Sequence, residues 1–464
     1  MKSNRLRLHT PSSSATVNWG KYQTKDYLHF DIPLNIERVK HFIENPDWIK
    51  SHAFLPFIRF DLVFNKYVTK HSSDVENDDS LGNSTKIKEK KQKTRSIMYA
   101  SHLDQFIYKY YGERLNNYYN EFARKQGIDK SVLAYRNNKK GKNNLHFAAE
   151  VFKFILNSKE AIIISLDFSS FFDNINHKQL KNNIKVILDM DEIPADLYNV
   201  FKNTTKFSFV NKSDIDRFLL DKYGKKELAE LRKNNKLKKI MSNSEFRNFK
   251  RTNLYKNKKP YGIPQGSGMS AVCSNIHLIH FDQDMVKLAN SLNGMYRRYS
   301  DDLILIIPTK TNKKNIYEYR HKVFSIVDRY KNHGLIVQEE KTEIRFYKNN
   351  QIFDENGENS KLDYLGLVMD GKKVQIREKS VFKYYSRAYR KAKVCKKITE
   401  KTGEKYERRK LYKIYTHLGS NYKGFGNFTT YAKKADQIMR NIGLESNIHN
   451  QVKRHWNKIQ KRLN

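Results

Sequence analysis

The sequence contains very little cysteine and no long apolar run, and each absence excludes a class of protein. Two cysteines, Cys273 and Cys395, are too few for a disulfide scaffold or a four-cysteine zinc module, and they fit a reducing cytoplasm. No run approaches the roughly 18 apolar residues that a membrane-spanning helix needs. The basic N-terminus lacks the apolar stretch of a secretory signal. We therefore predict a cytoplasmic protein without a membrane partner.

Acidic residues are also scarce relative to basic ones. The 464 residues include 89 Lys or Arg and 49 Asp or Glu, which gives a formal net charge of +40. Such a surplus favours a polyanionic partner, most simply nucleic acid, although a generally basic soluble protein would also show it. Because 38% of the residues are apolar and 13% are aromatic, the chain can build hydrophobic cores. Its length suggests roughly three domains.

The middle of the chain alternates between strand and helix patterns. Ala161–Asp167 is a short apolar run that predicts a buried strand, and Met295–Pro308 predicts a strand, a turn with two carboxylates and a second strand. The remaining predicted elements are helices over His177–Leu188, Met269–Leu292 and Asn315–Tyr330, and extended segments over Leu335–Gln338 and Glu343–Tyr347. This order predicts an α+β fold with a helix-backed antiparallel sheet of the split-βαβ kind.

Three other segments differ in composition from the middle of the chain. His71–Lys93 is polar throughout and is expected to be a mobile loop. Lys222–Lys259 is basic and poor in aromatic residues. The tail from Gly371 to Asn464 has 26 Lys or Arg against 6 Asp or Glu, with aromatics between them, and predicts a helical module that lies along a phosphate backbone. Packing in helix cores is the alternative explanation for most of these aromatics.

Three carboxylates carry the predicted chemistry. Asp167 ends the first buried strand, and Asp301 and Asp302 occupy the tip of the apolar hairpin. Acids crowded at such a rigid site repel one another, and divalent cations relieve that repulsion. Oxygen ligands favour Mg²⁺, which keeps waters and takes substrate phosphates. Two ions about 4 Å apart activate a hydroxyl and stabilise a leaving pyrophosphate. A solvated turn is the alternative for an isolated Asp-Asp pair.

Seven segments, in order, resemble the motifs of reverse transcriptases. They are Arg95–Asp104 and Ala134–Arg136 (the first two fingers motifs), Asp167–Ile175 (motif A), Tyr261–Ser267 (motif B), Tyr299–Asp302 (the YxDD motif C), Gly334–Ile344 (motif D) and Tyr364–Gly366 (the motif E primer grip). Their order and spacing agree over residues 50–375. The chain most resembles the bacterial branch that holds group II introns, retrons and abortive-infection enzymes. The SVLAYR segment and the RKLYKIYTHLGSNYKGFGNF tail resemble its antiphage defence groups.

The resemblance implies a right-hand polymerase with fingers over 1–160, a palm over 161–370 and a basic α-helical thumb over 371–464. The palm would contain an inserted basic element at about 206–259. The implied function is an RNA-directed DNA polymerase that makes cDNA from dNTPs in antiphage defence. The implied template is a structured non-coding RNA, and the implied cofactors are two Mg²⁺ ions, with Mn²⁺ as a substitute. Homo-oligomers are compatible with this assignment.

The resemblance also implies roles for individual residues. The metal ligands would be Asp167, Asp301, Asp302 and the backbone carbonyl of Phe168. The residues around the incoming dNTP would be Arg95 on the triphosphate, Phe172 as a steric gate against the ribose 2′-hydroxyl, Gln265, Gly266, and Lys341 as a proton donor. The primer grip would be Tyr364, Leu365 and Gly366. For Phe172 the alternative is a buried core ring, and for Lys341 it is a surface lysine.

Several alternatives remain open on the sequence. The same active site would serve template-independent or protein-primed DNA synthesis, and a polymerase that accepts rNTPs would share most of the motifs. A non-catalytic RNA-binding scaffold is an alternative of another class, although the intact carboxylates argue against it. His277 and His280 have no cysteine partner at zinc spacing, so we interpret them as helix-face residues.

Overall fold

The computed structural model describes residues 17–69, 88–310, 313–337 and 342–464, and the chain divides into two compact units. The first unit is formed from Met1–Lys125, Ser170–Ile279 and Asn332–Leu335, and the second from Gln126–Ser169, His280–Lys331 and Ile336–Asn464. Both units contain helices and sheets, which confirms the predicted α+β class. No helix in these ranges is both long enough and apolar enough to cross a membrane.

The regular elements are numbered here in chain order. The strands are β1 (Phe57–Thr69), β2 (Lys88–Tyr99), β3 (Glu160–Asp167), β4 (Ser208–Asn211), β5 (Tyr255–Lys256), β6 (Met295–Tyr299), β7 (Asp302–Pro308), β8 (Glu343–Lys348), β9 (Gln351–Phe353), β10 (Leu362–Tyr364), β11 (Leu367–Met369), β12 (Lys373–Ile376) and β13 (Glu445–Ser446). The helices are α1 (Lys40–Glu44), α2 (Pro46–Ser51), α3 (His102–Lys125), α4 (Asn144–Leu156), α5 (His177–Leu188), α6 (Ala195–Thr205), α7 (Lys212–Lys233), α8 (Asn243–Asn253), α9 (Ser270–His277), α10 (Ile279–Ser291), α11 (Lys313–Arg329), α12 (Glu378–Thr402), α13 (Arg408–Tyr415), α14 (Phe428–Asn441), α15 (Ile448–Val452) and α16 (His455–Leu463).

The second unit is built on a five-stranded sheet in the order β6-β7-β3-β8-β9, and its neighbouring strands are all antiparallel. The predicted strand Ala161–Asp167 forms the centre of this sheet as β3. Its residues Ala161 to Ile164 are fully buried, which explains their continuous apolar run. Side chains of α4, β3 and β7 pack with the second sheet (β10-β11-β12-β13) and with α14 in one core. The predicted antiparallel, helix-backed sheet is therefore present.

The first unit contains the sheet β2-β1-β4-β5. Its β1 and β2 form a long antiparallel hairpin that pairs Ile58 with Tyr99 at one end and Thr69 with Lys88 at the other. The prediction of a mobile loop over His71–Lys93 is therefore wrong for residues 88–93, which belong to β2 and pair with residues 64–69 of β1. The sequence of this segment is polar throughout and gave no apolar signal for a strand. Residues 70–87 lie outside the described part of the chain.

The single helix predicted over Met269–Leu292 is also wrong, because the structure has α9 and α10 with a break at Leu278. The buried Asn183 side chain donates hydrogen bonds to the carbonyls of Ile276 and His277, at 2.9 and 3.0 Å. These carbonyl groups therefore accept hydrogen bonds from a side chain outside the helix, and α9 ends there. The imidazole of His277 lies 3.0 Å from the His333 carbonyl, and no group of metal ligands occurs around it in the described residues.

The basic tail is mainly helical, as predicted, although β12 and β13 form strands within it. Its aromatic side chains differ widely in burial. Tyr384 and Tyr385 are buried, whereas Phe382 and Phe425 are largely exposed. Tyr412, Tyr415, Phe428 and Tyr431 are partly buried and pack against hydrophobic cores, so core packing accounts for many of these rings. The domain boundaries at residues 160 and 370 stay predictions.

Candidate active site

Three carboxylates meet at one end of the central sheet of the second unit. The ladder between β3 and β7 places Asp167 directly opposite Asp302, at the last residue of one strand and the first of the other. Side chains that face each other in this way have Cβ atoms about 4.5–5.5 Å apart. Asp301 precedes Asp302 in the turn between β6 and β7. Residues more than 130 positions apart in the sequence are thereby brought together.

The charges of these carboxylates influence one another. Asp302 is accessible to solvent at the strand end, yet protein atoms surround much of its carboxylate. Loss of hydration there, followed by the negative charges of Asp301 and Asp167, raises the pKa of Asp302 to about 6. The cation of Arg377 acts in the opposite direction. The site therefore holds more negative charge than its surroundings neutralise.

The turn that carries Asp301 is strained. Tyr299 pairs with Asp302, which leaves a two-residue loop, and the first loop residue, Ser300, has a φ of 62°. Glycine is the residue that usually occupies this conformation, because a side chain there costs about 1–2 kcal/mol. Two hydrogen bonds hold Ser300 in place: its carbonyl accepts from Arg298 Nη1 at 3.0 Å, and its hydroxyl donates to the Tyr135 hydroxyl at 3.2 Å.

A buried ion pair stands behind this turn. Arg298 and Asp282 have no exposed side-chain surface, and the guanidinium donates to the carboxylate from Nε at 2.8 Å and from Nη2 at 2.6 Å. The Tyr296 hydroxyl donates to the same carboxylate at 2.7 Å. The pair thus connects α10 to β6 and extends one further donor, Nη1, to the Ser300 carbonyl.

Sequence reasoning missed Arg298 and Asp282. A charged residue at a buried position of each element could have revealed the pair. Strand alternation puts Arg298 on the same side of β6 as buried Tyr296. Asp282 directly follows buried Phe281, and such buried charges are rare unless they are paired. The sequence placed Tyr135 only within the second fingers motif and gave no sign of its contact with the turn. Its φ of 60° and its contact with Ser300 give it a structural position beside the turn.

The two residues that follow Asp167 are held in place by packing and by backbone hydrogen bonds. Phe168 is buried, its ring lies 5.7 Å from that of Phe281, and its backbone forms an isolated bridge with Val337. The amide of Ser169 donates to the Ile336 carbonyl at 2.7 Å. The backbone after Asp167 is therefore held by hydrogen bonds. The role of the Phe168 carbonyl as a metal ligand stays a prediction.

The residues predicted as the primer grip form a tight hairpin turn between β10 and β11. Tyr364 pairs with Leu367, and both loop residues, Leu365 (φ 49°) and Gly366 (φ 88°), have the positive φ of a type I′ turn. The Leu365 carbonyl accepts from Asn144 Nδ2 at 3.0 Å. Tyr364 is buried, and its hydroxyl has no hydrogen-bond partner among the residues that the structure describes. Burial, followed by the charge of Asp302, raises the pKa of Tyr364 well above its usual range.

Gln265 and Gly266 belong to the first unit, where their loop is hydrogen-bonded to β2. The Met98 amide donates to the Gln265 carbonyl at 2.8 Å. Gly266 has a φ of 118°, and a Cβ added there would lie 2.3 Å from the Met98 carbonyl oxygen. Only glycine fits this position. Gly268 is less restricted, because an added Cβ would lie 3.0 Å from backbone atoms of Lys109 in α3 and would need only a small shift.

Arg95 and Phe172 also belong to the first unit. Arg95 is exposed on β2 and pairs with Leu62 of β1. Phe171 is buried, and Phe172 keeps a partly exposed ring whose centroid lies 5.7 Å from that of Phe171. Alternation alone left open which of these two rings points inward. Lys341 lies outside the described residues, and the roles of Arg95, Phe172, Gln265 and Gly266 stay predictions.

The donor set at the carboxylate end of the sheet fits a divalent cation. In the described ranges no three His, Cys, Asp or Glu side chains come close enough to enclose one ion. Mg²⁺ does not need such an enclosure, because it binds through one or two carboxylates and completes its shell with water and substrate phosphates. Asp167 and Asp302 face each other as two such ligands, and a cation would offset the repulsion that raises the pKa of Asp302.

The family assignment follows from a match to the model of the family described as reverse transcriptase (RNA-dependent DNA polymerase), which covers residues 87–369. This range includes the carboxylate turn, the glycine-dependent loop and the β10–β11 turn. The chain belongs to the reverse transcriptase family. The family predicted from the sequence motifs is therefore confirmed. No curated protein sequence matches the chain.

Solved structures of telomerases resemble the chain at low identity. Apo telomerase from Candida tropicalis truncated from its C-terminal domain is 15% identical over 61% of this chain and 52% of that chain, with a TM-score of 0.40. Apo telomerase from the same organism is 14% identical over 86% of this chain and 68% of that one, with a TM-score of 0.44. Telomerase from Candida albicans in complex with a TWJ fragment of telomeric RNA is 12% identical over 92% of this chain and 62% of that one, with a TM-score of 0.41. This chain thus spans about half of the first of these structures.

Proposed function

We propose that the chain is an RNA-directed DNA polymerase that makes cDNA by two-metal nucleotidyl transfer. The observation that carries this proposal is the placement of Asp167 opposite Asp302 and beside Asp301, at a strained turn inside a reverse transcriptase domain. Bound Mg²⁺, with Mn²⁺ as a substitute, would lower the pKa of the primer 3′-hydroxyl and neutralise the leaving pyrophosphate. Asp167, Asp301 and Asp302 would hold the metals, and the substrates would be an RNA template and dNTPs.

The chain's own residues would position the reactants. The β3–β7 ladder fixes the spacing of Asp167 and Asp302, and Arg298 keeps Ser300 in its strained conformation, so the carboxylates need little reorganisation when substrate arrives. Gly266 would let the backbone approach the nucleotide, because no side chain intrudes there. The exposed ring of Phe172 would oppose a ribose 2′-hydroxyl and thereby select dNTPs.

The proposal is tested by extension of a labelled primer on an RNA template with the purified chain. Asp301→Asn removes one charge with almost no change of shape, and we expect loss of extension with no change in folding. Asp328→Asn is the matched control, because Asp328 is an exposed carboxylate on α11. Full extension by the Asp301 variant would refute the proposal, because the reaction would then not depend on this carboxylate, whereas no extension by the wild-type chain would leave the non-catalytic scaffold as the better account.

Other nucleotide chemistries give different products in the same assay. Equal use of rNTPs and dNTPs by the wild-type chain would indicate an RNA polymerase. If reactions without template gave products as long as those made on the RNA template, the chain would synthesise DNA independently of a template. DNA that remains attached to the chain through denaturation would indicate priming from a protein hydroxyl. Each of these results would replace the templated, dNTP-specific reaction that we propose.

The finer biological role is proposed from the resemblance alone. We infer an antiphage defence enzyme of the cytoplasm that copies a dedicated, structured non-coding RNA. The SVLAYR segment and the tail support this inference. Phage plating on bacteria that express the wild-type chain or the Asp301→Asn variant tests it, together with sequencing of the nucleic acid that co-purifies. Equal plating on both strains would contradict a defence role.

A further inference from the structure

The inserted element of the first unit carries a basic surface that the proposed chemistry does not use. No Asp or Glu occurs between Glu245 and Asp282. The segment from Phe246 to Tyr261, which we call the acid-free segment, contains the six cations Arg247, Lys250, Arg251, Lys256, Lys258 and Lys259. All six side chains are exposed, and none is in an ion pair within the part of the chain that the structure describes.

Several cations elsewhere in the inserted element are in ion pairs. Lys212 and Arg232 both pair with Asp216, at 2.7 and 3.0 Å. Lys222 pairs with Glu245 at 2.6 Å, just before the acid-free segment begins. The cations of α8 and of the residues that follow it differ in that no acidic residue lies among them.

Helix α8 presents its cations on one side. Phe249 is buried and Phe246 is partly buried in the core that attaches the inserted element to its sheet. Residues three and four positions apart lie on the same face of a helix, so Arg247, Lys250 and Arg251 form one stripe. The two phenylalanines occupy the inward side of α8, and the stripe is left exposed to solvent.

Exposed rings adjoin these cations. Tyr255 is 44% exposed and stacks on Phe209, with ring centroids 5.4 Å apart and an angle of 21° between the planes. The Arg59 guanidinium lies 5.1 Å from the centroid of Phe209. Tyr261 is 39% exposed, with the Lys259 ammonium group 5.5 Å from its centroid. Both rings are held in place while much of their surface remains accessible.

We propose that the acid-free segment is a binding surface for a single-stranded polynucleotide. Cations without acidic partners match backbone phosphates, and exposed flat rings beside them match bases, which stack on any aromatic face. An anionic membrane or an acidic peptide would use the charges and would have no need for the rings. The proposal rests on the proposed function in one respect only. The proposed function supplies the origin of the bound strand, which would be the RNA partner or the cDNA product.

The test measures binding of labelled RNA and DNA oligonucleotides, each about 12 nucleotides long, to the full chain by fluorescence anisotropy. Excess unlabelled primer–template hybrid is present to occupy the polymerase site, and salt is varied. For the triple variant Arg247→Gln/Lys250→Gln/Arg251→Gln we expect at least tenfold weaker binding. The slope of log affinity against log salt should fall by about 2, because each lost phosphate contact on a single strand contributes about 0.7.

A matched control removes the same charge from α7. Lys225, Lys226 and Lys233 are exposed and are interleaved with Glu227 and Glu230. Replacement of these three lysines by glutamine should leave affinity and salt slope near the wild-type values. An equal loss in both triple variants would overturn the proposal, because binding would then follow net charge alone. Unchanged binding in the α8 variant, or weaker binding only to phosphatidylserine vesicles, would overturn it as well.

Two further measurements separate stacking from charge and binding from catalysis. Tyr255→Leu keeps apolar contact with Phe209, so we expect about fivefold or greater weakening with an unchanged salt slope. Extension of a short primer–template by the α8 variant should equal that of the wild type. If the chain had no polymerase activity, the binding experiment would still decide the present proposal. The RNA and DNA arms identify which strand binds.

Discussion

Removal of the buried charge pair behind the turn that carries Asp301 gives the sharpest prediction. Asp282→Asn keeps the shape of the side chain but leaves the Arg298 guanidinium without a counter-charge, in a position where neither side chain has exposed surface. Breaking a buried ion pair in this way costs about 3–5 kcal/mol, a large part of the roughly 5–15 kcal/mol that stabilises a typical domain. Urea unfolding followed by circular dichroism measures this loss.

A double replacement separates stability from positioning. In Asp282→Leu/Arg298→Met both charges disappear, and replacement of a buried pair by apolar residues of similar size is often neutral or stabilising. We expect a free energy of unfolding within about 2 kcal/mol of the wild-type value. The Ser300 carbonyl nevertheless loses its Arg298 donor, and the strained turn loses one of its two restraints. The turnover number for primer extension should fall roughly tenfold or more, since one charged hydrogen bond contributes about 1.5–3 kcal/mol.

The two variants also define the results that would refute this reasoning. A loss of less than about 1 kcal/mol in Asp282→Asn would show that the pair is not buried as the structure describes. A double variant with wild-type stability and wild-type turnover would show that Arg298 does not position the turn. A rise in the KM for dNTPs with unchanged turnover would place the effect on nucleotide binding, and it would contradict the same mechanism.

Three further predictions concern other parts of the chain. Gly266→Ala should cost about 1–3 kcal/mol of stability and abolish extension, because the new Cβ would meet a backbone carbonyl oxygen at 2.3 Å. Phe172→Ala should raise rNTP incorporation relative to dNTP incorporation at least roughly tenfold, measured in single-nucleotide assays. Burial, followed by the charge of His102, lowers the pKa of His29 to about 3, so the native state resists its protonation. Stability should therefore fall as the pH drops below 6.5, by about 2 kcal/mol at pH 5, and His29→Gln should lack this loss in urea titrations.

Each of these predictions has a contrasting outcome. Gly141→Ala is the control for Gly266, because Gly141 also has a positive φ (76°) but has open space around its Cβ position. Equal effects of the two glycine variants would point to backbone strain alone and not to the close approach. An unchanged preference for dNTPs over rNTPs in the Phe172 variant would show that Phe172 is not a steric gate. Parallel pH profiles of the wild type and the His29 variant would assign the acid sensitivity to other groups.

The central sheet of the second unit was largely predictable because its signals are local. Ala161–Leu166 and Leu303–Ile307 are short apolar runs that each adjoin a carboxylate, and a strand buried on both faces needs such a run wherever it lies in the sequence. His177–Leu188 has the same bounds in the sequence pattern and in the structure. The motifs and their order also identified the family, since motif residues are consecutive in the chain.

Other features depend on partners that are distant in sequence. The break at Leu278 depends on hydrogen bonds from Asn183, and the strand over residues 88–93 depends on pairing with β1, so no local pattern reveals either feature.

The sequence by itself determined the sheet, the family and the three acidic residues. Only the tertiary structure decided that Asp167 faces Asp302, that Arg298 and Asp282 form a buried pair, and that Ser300 is held in a strained turn. The physical reason is that local periodicity reports which residues are buried, whereas strand register and ion pairing arise from contacts between segments far apart in the chain.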